Sequence, residues 1–116
     1  RVLFRSLAIL YNMAELFIFP TFYEGWASPP LEAMKCGTPA LVSDIASLRE
    51  STGGLLAYCN PNNPKDISVG IARILEDSQL YEKIRQNGLS YASGRTWEEC
   101  ARKTLAFYDK LITELL

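Results

Sequence analysis

Residues 22–39 read FYEGWASPPLEAMKCGTP, and this stretch indicates the local structure around which the rest of the chain is organised. It contains Ser28, which is suited to cap a helix because its side-chain oxygen accepts a hydrogen bond from a backbone N–H. Pro29 is suited to be the first helical residue, since the N–H at that position has no helical partner to lose. We therefore predict a helix over residues 30–36, ended by Gly37, which can adopt the left-handed conformation that follows many helices.

The segments on both sides of this stretch alternate between helix and strand patterns. Residues 16–19 form an uninterrupted apolar run, LFIF, which predicts a strand buried on both faces. We predict a short helix before it at 7–14, two further strands at 40–43 and 55–58, and a loop or single turn at 44–50. Because strands joined by helical crossovers run parallel, this order predicts a parallel sheet.

The C-terminal half of the chain has helical patterns. Asn63 is a suitable cap for a first helix, Ser78 begins a second, and Thr96 with Glu99 forms the pattern of a capping box for a third. Gly88 marks a weak point in the second helix. The predicted apolar faces of the three helices consist of Ile67, Ile71, Ile74 and Leu75, of Leu80, Ile84 and Tyr91, and of Cys100, Leu105, Tyr108, Leu111, Ile112 and Leu115.

The predicted fold class is therefore α/β, a partial Rossmann-like, doubly wound parallel sheet with a helical C-terminal part. With 116 residues and 48% apolar content, the chain has the size and composition of one domain with a core. In a sheet of this kind, ligands bind at the carboxyl ends of the strands. The loop that follows residues 16–19 lies at such an end.

Composition excludes several function classes. The chain has 12 Lys and Arg against 13 Asp and Glu and no basic run, so we expect no nucleic-acid partner. It has no His, so Ser-His, Cys-His and His-metal chemistry cannot be built from this chain alone. The cysteines lack C-x-x-C spacing, which predicts reduced thiols and a cytoplasmic location. The apolar runs are too short to cross a bilayer, so we expect no transmembrane segment, and peripheral contact with a membrane stays open.

Two carboxylates, Glu24 and Glu32, flank the loop and the predicted helix start. An ionised carboxylate only accepts hydrogen bonds, so it suits the neighbouring hydroxyls of a sugar. Amides at a helix start suit phosphate. Together these groups favour a nucleotide-sugar, whose diphosphate lies between two polyols. Taken singly, Glu24 is also compatible with a solvated loop acid, and Glu32 with an acid that the helix dipole stabilises.

The amides available to a phosphate are predicted to be those of Ala27, Ser28 and Leu31. Pro29 and Pro30, which lie between them, have no N–H. The predicted helix start therefore offers only a few backbone donors, and their exact positions determine how a phosphate would be bound.

Two other residues of the loop have their own interpretations. Gly25 is expected to give the loop backbone angles that are closed to other residues, and to let a ligand approach closely. Trp26 is compatible with a ligand contact and equally with an aromatic side chain that covers the surface.

These residues carry a family resemblance. Glu24 and Glu32, with seven residues between them, are followed by AM at 33–34 and CGTP at 36–39. The pattern resembles the Glu-x7-Glu signature of retaining glycosyltransferases of family 4, in the second domain of their GT-B fold. The resemblance implies transfer of a glycosyl unit from a nucleotide-sugar to a hydroxyl acceptor, with retention at the anomeric carbon and with no metal or other cofactor required.

The resemblance also implies roles for individual residues. It implies that Glu24 contacts hydroxyls of the donor sugar and is the more catalytic of the two carboxylates, and that Glu32 holds the ribose diol. The backbone of residues 25–28 is implied to approach the diphosphate. The predicted catalytic residue is thus Glu24, and the predicted donor-binding residues are Glu24, Gly25, Trp26, Ala27, Ser28, Leu31 and Glu32.

Two positions depart from the family pattern. Ala27 stands where the family often has glycine, and Arg49 stands where proline often precedes the glutamate matched by Glu50. The Cβ of Ala27 disfavours a positive φ, so the approach of a phosphate to that amide is the part of the resemblance most open to correction.

The resemblance covers only part of such an enzyme. The first domain, which holds the saccharide or lipid-linked acceptor, is not in the sequence. We therefore expect residues 7–116 to be the C-terminal part of a nucleotide-sugar-binding glycosyltransferase domain that is not active alone. Two alternatives stay open: a non-catalytic nucleotide-binding or interaction module, and a sugar-nucleotide epimerase half-domain on the same fold.

Residues 1–6, RVLFRS, are expected to be a non-native leader. One back-translation of them spells the end of a common sequencing adapter. The alternative is a native strand remnant at residues 2–4.

Overall fold

A computed structural model describes the backbone of residues 2–115 and the side chains of residues 6–115. It confirms the predicted α/β class, with a small parallel sheet and a mostly helical C-terminal half. The elements in chain order are α1 (Val2–Met13), β1 (Phe17–Phe19), α2 (Ser28–Lys35), β2 (Ala40–Ser43), α3 (Ala46–Ser51), β3 (Ala57–Cys59), α4 (Pro64–Glu76), α5 (Ser78–Ser93) and α6 (Trp97–Leu115).

The described sheet has the order β1-β2-β3, and both neighbouring pairs are parallel. Phe17 lies beside Ala40 in the first pair, and Val42 lies beside Tyr58 in the second. All four residues of β2 are buried. The prediction that β1 is buried on both faces is wrong, because β1 is an edge strand of this sheet and Ile18 is 38% exposed.

Helix α2 starts earlier than predicted. It begins at Ser28, and its N-cap is Ala27 in extended conformation with no side-chain hydrogen bond, so the prediction of Ser28 as the cap is wrong. Extended backbone at Ala27 brings Ser28 into the first turn, where its hydroxyl no longer occupies the capping position. The predicted end is confirmed: Gly37 has φ +73°, and the Thr38 N–H donates to the Ala33 carbonyl at 2.9 Å.

The predicted cap of the first C-terminal helix and the predicted start of the second are confirmed, but their apolar faces differ in part. The Asn63 side chain caps α4 by accepting hydrogen bonds from the amides of Lys65 and Asp66. Helix α5 begins at Ser78. Most of the predicted apolar residues pack on the core, whereas Leu75 is 47% exposed. Leu75 lies about 100° around the helix from the buried Ile74, which takes it past the edge of the packed face.

Gly88 is a close-packing position rather than a weak point. It is buried in α5, and a Cβ built there would lie 3.2 Å from the Met34 Cγ of α2. The missing side chain lets the two helices approach each other, so the helix-propensity cost of glycine is offset by packing.

Helix α6 keeps its predicted start but exposes its predicted apolar stripe. The Thr96 hydroxyl accepts the Glu99 N–H at 3.1 Å, while the Glu99 carboxylate binds Arg102 and Lys103 instead of closing the capping box. Its apolar residues are exposed along the whole length, with Leu105, Tyr108 and Ile112 more than half exposed.

The N-terminal region forms one helix. Val2–Met13 is helical, so the alternative of a strand at residues 2–4 is wrong. The proposal that residues 1–6 are a non-native leader stays a prediction. The three cysteines, Cys36, Cys59 and Cys100, are free.

Two adjacent glycines allow the packing between the loop before β3 and α5 to be tested. Gly53 and Gly54 both have positive φ, at +67° and +70°. A Cβ at Gly53 would lie 2.5 Å from Tyr91 Cε2, whereas a Cβ at Gly54 would meet open space. We predict that Gly54→Ala lowers the free energy of unfolding by about 1–2 kcal/mol, the cost of this backbone conformation. Gly53→Ala should lower it further, as measured by urea denaturation, and equal losses would show that the ring moves aside freely.

The exposed stripe of α6 predicts self-association of the chain, because apolar side chains exposed along one face of a helix favour contact with another molecule. We expect sedimentation velocity to show concentration-dependent association, which Leu105→Lys with Leu111→Lys should reduce. The control, Ala106→Lys with Thr113→Lys, adds the same charge on the opposite side of the helix. A chain that stays monomeric with a sharp cooperative melt would contradict the prediction.

Candidate functional site

The loop that carries Glu24 is anchored at the carboxyl edge of the sheet. The Ser43 hydroxyl, at the end of β2, donates to the Thr21 carbonyl at 2.6 Å, and the Thr21 hydroxyl donates to the Tyr23 carbonyl at 3.0 Å. Glu24 follows directly, partly buried, and its side chain has no hydrogen-bond or ion-pair partner in the described part of the chain. The carboxylate is therefore free to contact a ligand.

Neither Ala27 nor Gly25 has a left-handed backbone conformation. Ala27 is completely buried in the core and has φ −96°, so its Cβ is accommodated without strain. Gly25 does not have a positive φ, and a Cβ there would meet open space. The expectation that Gly25 supplies special backbone angles is thus wrong. The other expectation for Gly25, that its missing side chain lets a ligand approach closely, stays a prediction.

The observed start of α2 changes which amides are free. In a helix that begins at Ser28, the Ala27 carbonyl accepts the first intrahelical hydrogen bond, from the Leu31 amide. Pro29 and Pro30 carry no N–H. Of the three amides predicted to be available, those of Ala27 and Ser28 lie before the first intrahelical donor, and that of Leu31 is used by the helix.

A groove of about 500 Å³ runs between the start of α2 and the start of α6. Four of the predicted donor-binding residues line it: Trp26, Ser28, Leu31 and Glu32. Glu24, Gly25 and Ala27 are not among its lining residues. The remaining walls consist of Lys35, Arg95, Thr96, Trp97, Glu99, Cys100, Lys103 and Thr104, which the sequence interpretation did not assign to a site.

Glu32 is held by a tyrosine from the preceding helix. The Tyr11 hydroxyl donates to Glu32 Oε2 at 3.2 Å, and Tyr11 is itself 7% exposed. Burial, followed by the negative charge of Glu32 and its hydrogen bond, raises the pKa of Tyr11 to about 12. This contact orients the Glu32 carboxylate and occupies one of its oxygens.

Three basic side chains line the groove beside its two carboxylates. Lys35 lies three residues after Glu32 on α2, and Lys103 lies 3.4 Å from Glu99 on α6. Arg95 stacks on the Tyr91 ring at 4.5 Å from its centroid. A groove that combines carboxylates, cations and two tryptophans can bind a ligand that has hydroxyl, anionic and ring portions.

The residues of α6 were missed because nothing local to the sequence brings them next to α2. The one available signal was Trp97, a large aromatic directly after the predicted cap Thr96 and outside the predicted apolar face of that helix. Its side chain is 86% exposed in the structure.

The described residues form neither a metal-binding cluster nor a membrane-spanning helix. No three His, Cys, Asp or Glu side chains within residues 6–115 are grouped so as to hold a metal ion. None of the helices described has both the length and the apolar character needed to cross a membrane.

The sequence is similar to a known protein family and to proteins of known name. The family described as glycosyl transferases group 1 matches residues 2–91. O-antigen chain mannosyltransferase B of Escherichia coli is 38% identical over 106 residues, 91% of this chain and 28% of that protein. Serotype-specific mannosyltransferase WbdA of Escherichia coli is 35% identical over 107 residues, 92% of this chain and 13% of that protein.

A solved structure shows the same fold. Sucrose-phosphate synthase from Thermosynechococcus elongatus superposes with a TM-score of 0.81 and 26% identity, over 94% of this chain and 28% of that one. The described fold is thus part of a GT-B glycosyltransferase fold. The chain belongs to the glycosyl transferases group 1 family, and it spans less than a third of the length of each of these relatives.

The Tyr11–Glu32 contact gives a testable pKa. Glu32→Gln should lower the pKa of Tyr11 because it removes the charge, but the pKa should stay above its ordinary value because burial is the largest cause. The raised pKa stabilises the fold below pH 10, and this contribution is lost as the pH rises towards 12. A ¹³Cζ tyrosine NMR titration, assigned with Tyr11→Phe, measures the shift, and Glu76→Gln is the control. An unchanged Tyr11 pKa in Glu32→Gln would contradict the contact.

Proposed function

We propose that this chain is the nucleotide-sugar donor-binding part of a retaining glycosyltransferase, and that the complete protein transfers a glycosyl unit to a hydroxyl acceptor. The observation that carries the proposal is the position of Glu32, which lines one groove together with Trp26 and Ser28 at the start of α2. Family membership makes the transfer of a glycosyl unit the first reaction to consider.

The two carboxylates are proposed to hold different parts of the donor. Glu32, which Tyr11 orients, accepts hydrogen bonds from the hydroxyls of the ribose. The unpartnered Glu24 accepts hydrogen bonds from the hydroxyls of the transferred sugar. Both act by positioning rather than by proton transfer, and Glu24 has the larger effect on catalysis because a displaced sugar loses its reactive geometry.

The diphosphate is proposed to lie near the amides of Ala27 and Ser28. Negative charge builds on the leaving diphosphate in the transition state, so donors directed at it stabilise the transition state more than the bound donor. The positive end of α2 and basic side chains supply the positive potential. The proposal therefore includes no metal ion or other cofactor.

The relatives suggest which substrates to try first. Both Escherichia coli relatives are named as mannosyltransferases, so a nucleotide with a mannosyl group is the first donor to test. The acceptor is proposed to be a saccharide or a lipid-linked saccharide bound by a part of the protein outside this chain. A cytoplasmic location, with or without peripheral contact with a membrane, belongs to the same proposal.

Charge-neutral substitutions of the two glutamates in the complete protein test the assignment. Glu24→Gln should lower kcat by about 100-fold, because loss of one oriented contact displaces the reacting sugar. Glu32→Gln should mainly raise the KM for the donor, by about tenfold or more, because a charged hydrogen-bond acceptor is lost. Steady-state kinetics with varied donor measures both effects.

The matched control is Glu76→Gln at the exposed end of α4, which removes the same charge and should leave both parameters unchanged. Near-normal kinetics in both site variants would reject the assignment. Donor binding without product would favour the non-catalytic module, and conversion of the sugar on its nucleotide would favour an epimerase.

A further inference from the structure

A second cavity lies at the opposite edge of the sheet from the Glu24 loop. It measures about 420 Å³ and is bounded by α4, α5 and the start of β3. Leu55 and Leu56, which line it, precede β3, and Leu41 is the second residue of β2, so the cavity is near the amino ends of these strands. Its volume is within the range of small-molecule sites.

The cavity floor is aliphatic. Leu56, Ile74 and Ile84 contribute to it but are buried, so its accessible aliphatic surface comes mainly from the partly exposed Leu55 and Leu80. Branched and linear aliphatic side chains offer no hydrogen bonds, so this floor suits an alkyl chain better than a nucleobase or a sugar.

Three polar side chains converge on the same cavity. Arg73 reaches it from α4, and Lys83 and Asn87 reach it from one face of α5, since they are four residues apart. None of these three side chains has a hydrogen-bond or ion-pair partner among the described residues. No carboxylate is among the described lining residues.

The acid nearest to Lys83 in sequence does not neutralise the charge of that side chain. Glu82, next to Lys83, is occupied by Arg85 at 2.8 Å and by Gln86 at 2.7 Å. The cavity therefore keeps two positive charges in a chain whose net charge is −1. Such an arrangement attracts an anion.

We propose that this cavity binds an aliphatic phosphate, with the alkyl chain on the leucine and isoleucine floor and the phosphate between Arg73 and Lys83. A phosphate monoester has three terminal oxygens that match the guanidinium fork, the ammonium group and the Asn87 amide, whereas a carboxylate has two. The site is separate from the proposed donor groove and does not depend on the proposed function.

Octyl phosphate, below its micelle concentration, is the probe for the 116-residue chain. Titration followed by two-dimensional amide NMR should show saturable shifts confined to residues that line the cavity. Octanoate should bind more weakly, and octyl glucoside, which has no charge, and octyltrimethylammonium should show no saturable binding. Equal binding of octanoate would overturn the phosphate assignment, and equal binding of octyl glucoside would overturn the role of the cations.

Charge removal provides the second arm of the test. The double variant Arg73→Gln with Lys83→Gln should bind octyl phosphate about tenfold more weakly or worse, because both charged donors are lost. The control, Lys65→Gln with Lys110→Gln, makes the same change of net charge outside the cavity. Unchanged affinity in the first double variant, an equal loss in the control, or shifts spread over the whole chain would overturn the proposal. A thermal melt of each variant confirms that the fold is retained.

Discussion

The burial of β2 between two parallel neighbours is the constraint on which the rest of the structure depends. Its four residues are all buried, and the Leu41 side chain packs so closely on α4 that a Cβ at Gly70 would lie 3.0 Å from it. Parallel neighbours require each connection to cross back over the sheet, so all three strands end at the same edge. That edge is where the Glu24 loop begins, and it therefore positions the proposed donor site.

The start of α2 joins this packing to the chemistry. Ala27 has its methyl group in the core while its amide precedes the first turn, so one residue anchors the loop and sets the direction of the helix. Glu32, one turn further on, is oriented by the buried Tyr11. Ala27 stands where the family often has glycine, and its methyl group contributes to the core. Its negative φ shows that this chain needs no left-handed backbone at that position.

Local signals predicted the parts of the fold that depend on a few adjacent residues. The left-handed Gly37, the Asn63 cap and the start of α5 at Ser78 are set by backbone and capping chemistry within one turn. Predictions failed where a distant element decides the outcome. Ile18 is exposed because its strand lies at the edge, and Gly88 is a packing contact because Met34 from another helix meets it.

The sequence by itself determined the fold class, the strand order along the chain and the Glu24 and Glu32 pattern, because apolar runs, helix starts and motif spacing are properties of neighbouring residues. Only the tertiary structure decided which residues meet across the molecule. It placed Trp97 and Lys103 in one groove with Glu32, and it brought Arg73 from α4 and Lys83 from α5 to one cavity. These contacts depend on how helices pack on a sheet, and residues far apart in sequence carry no local signal of it.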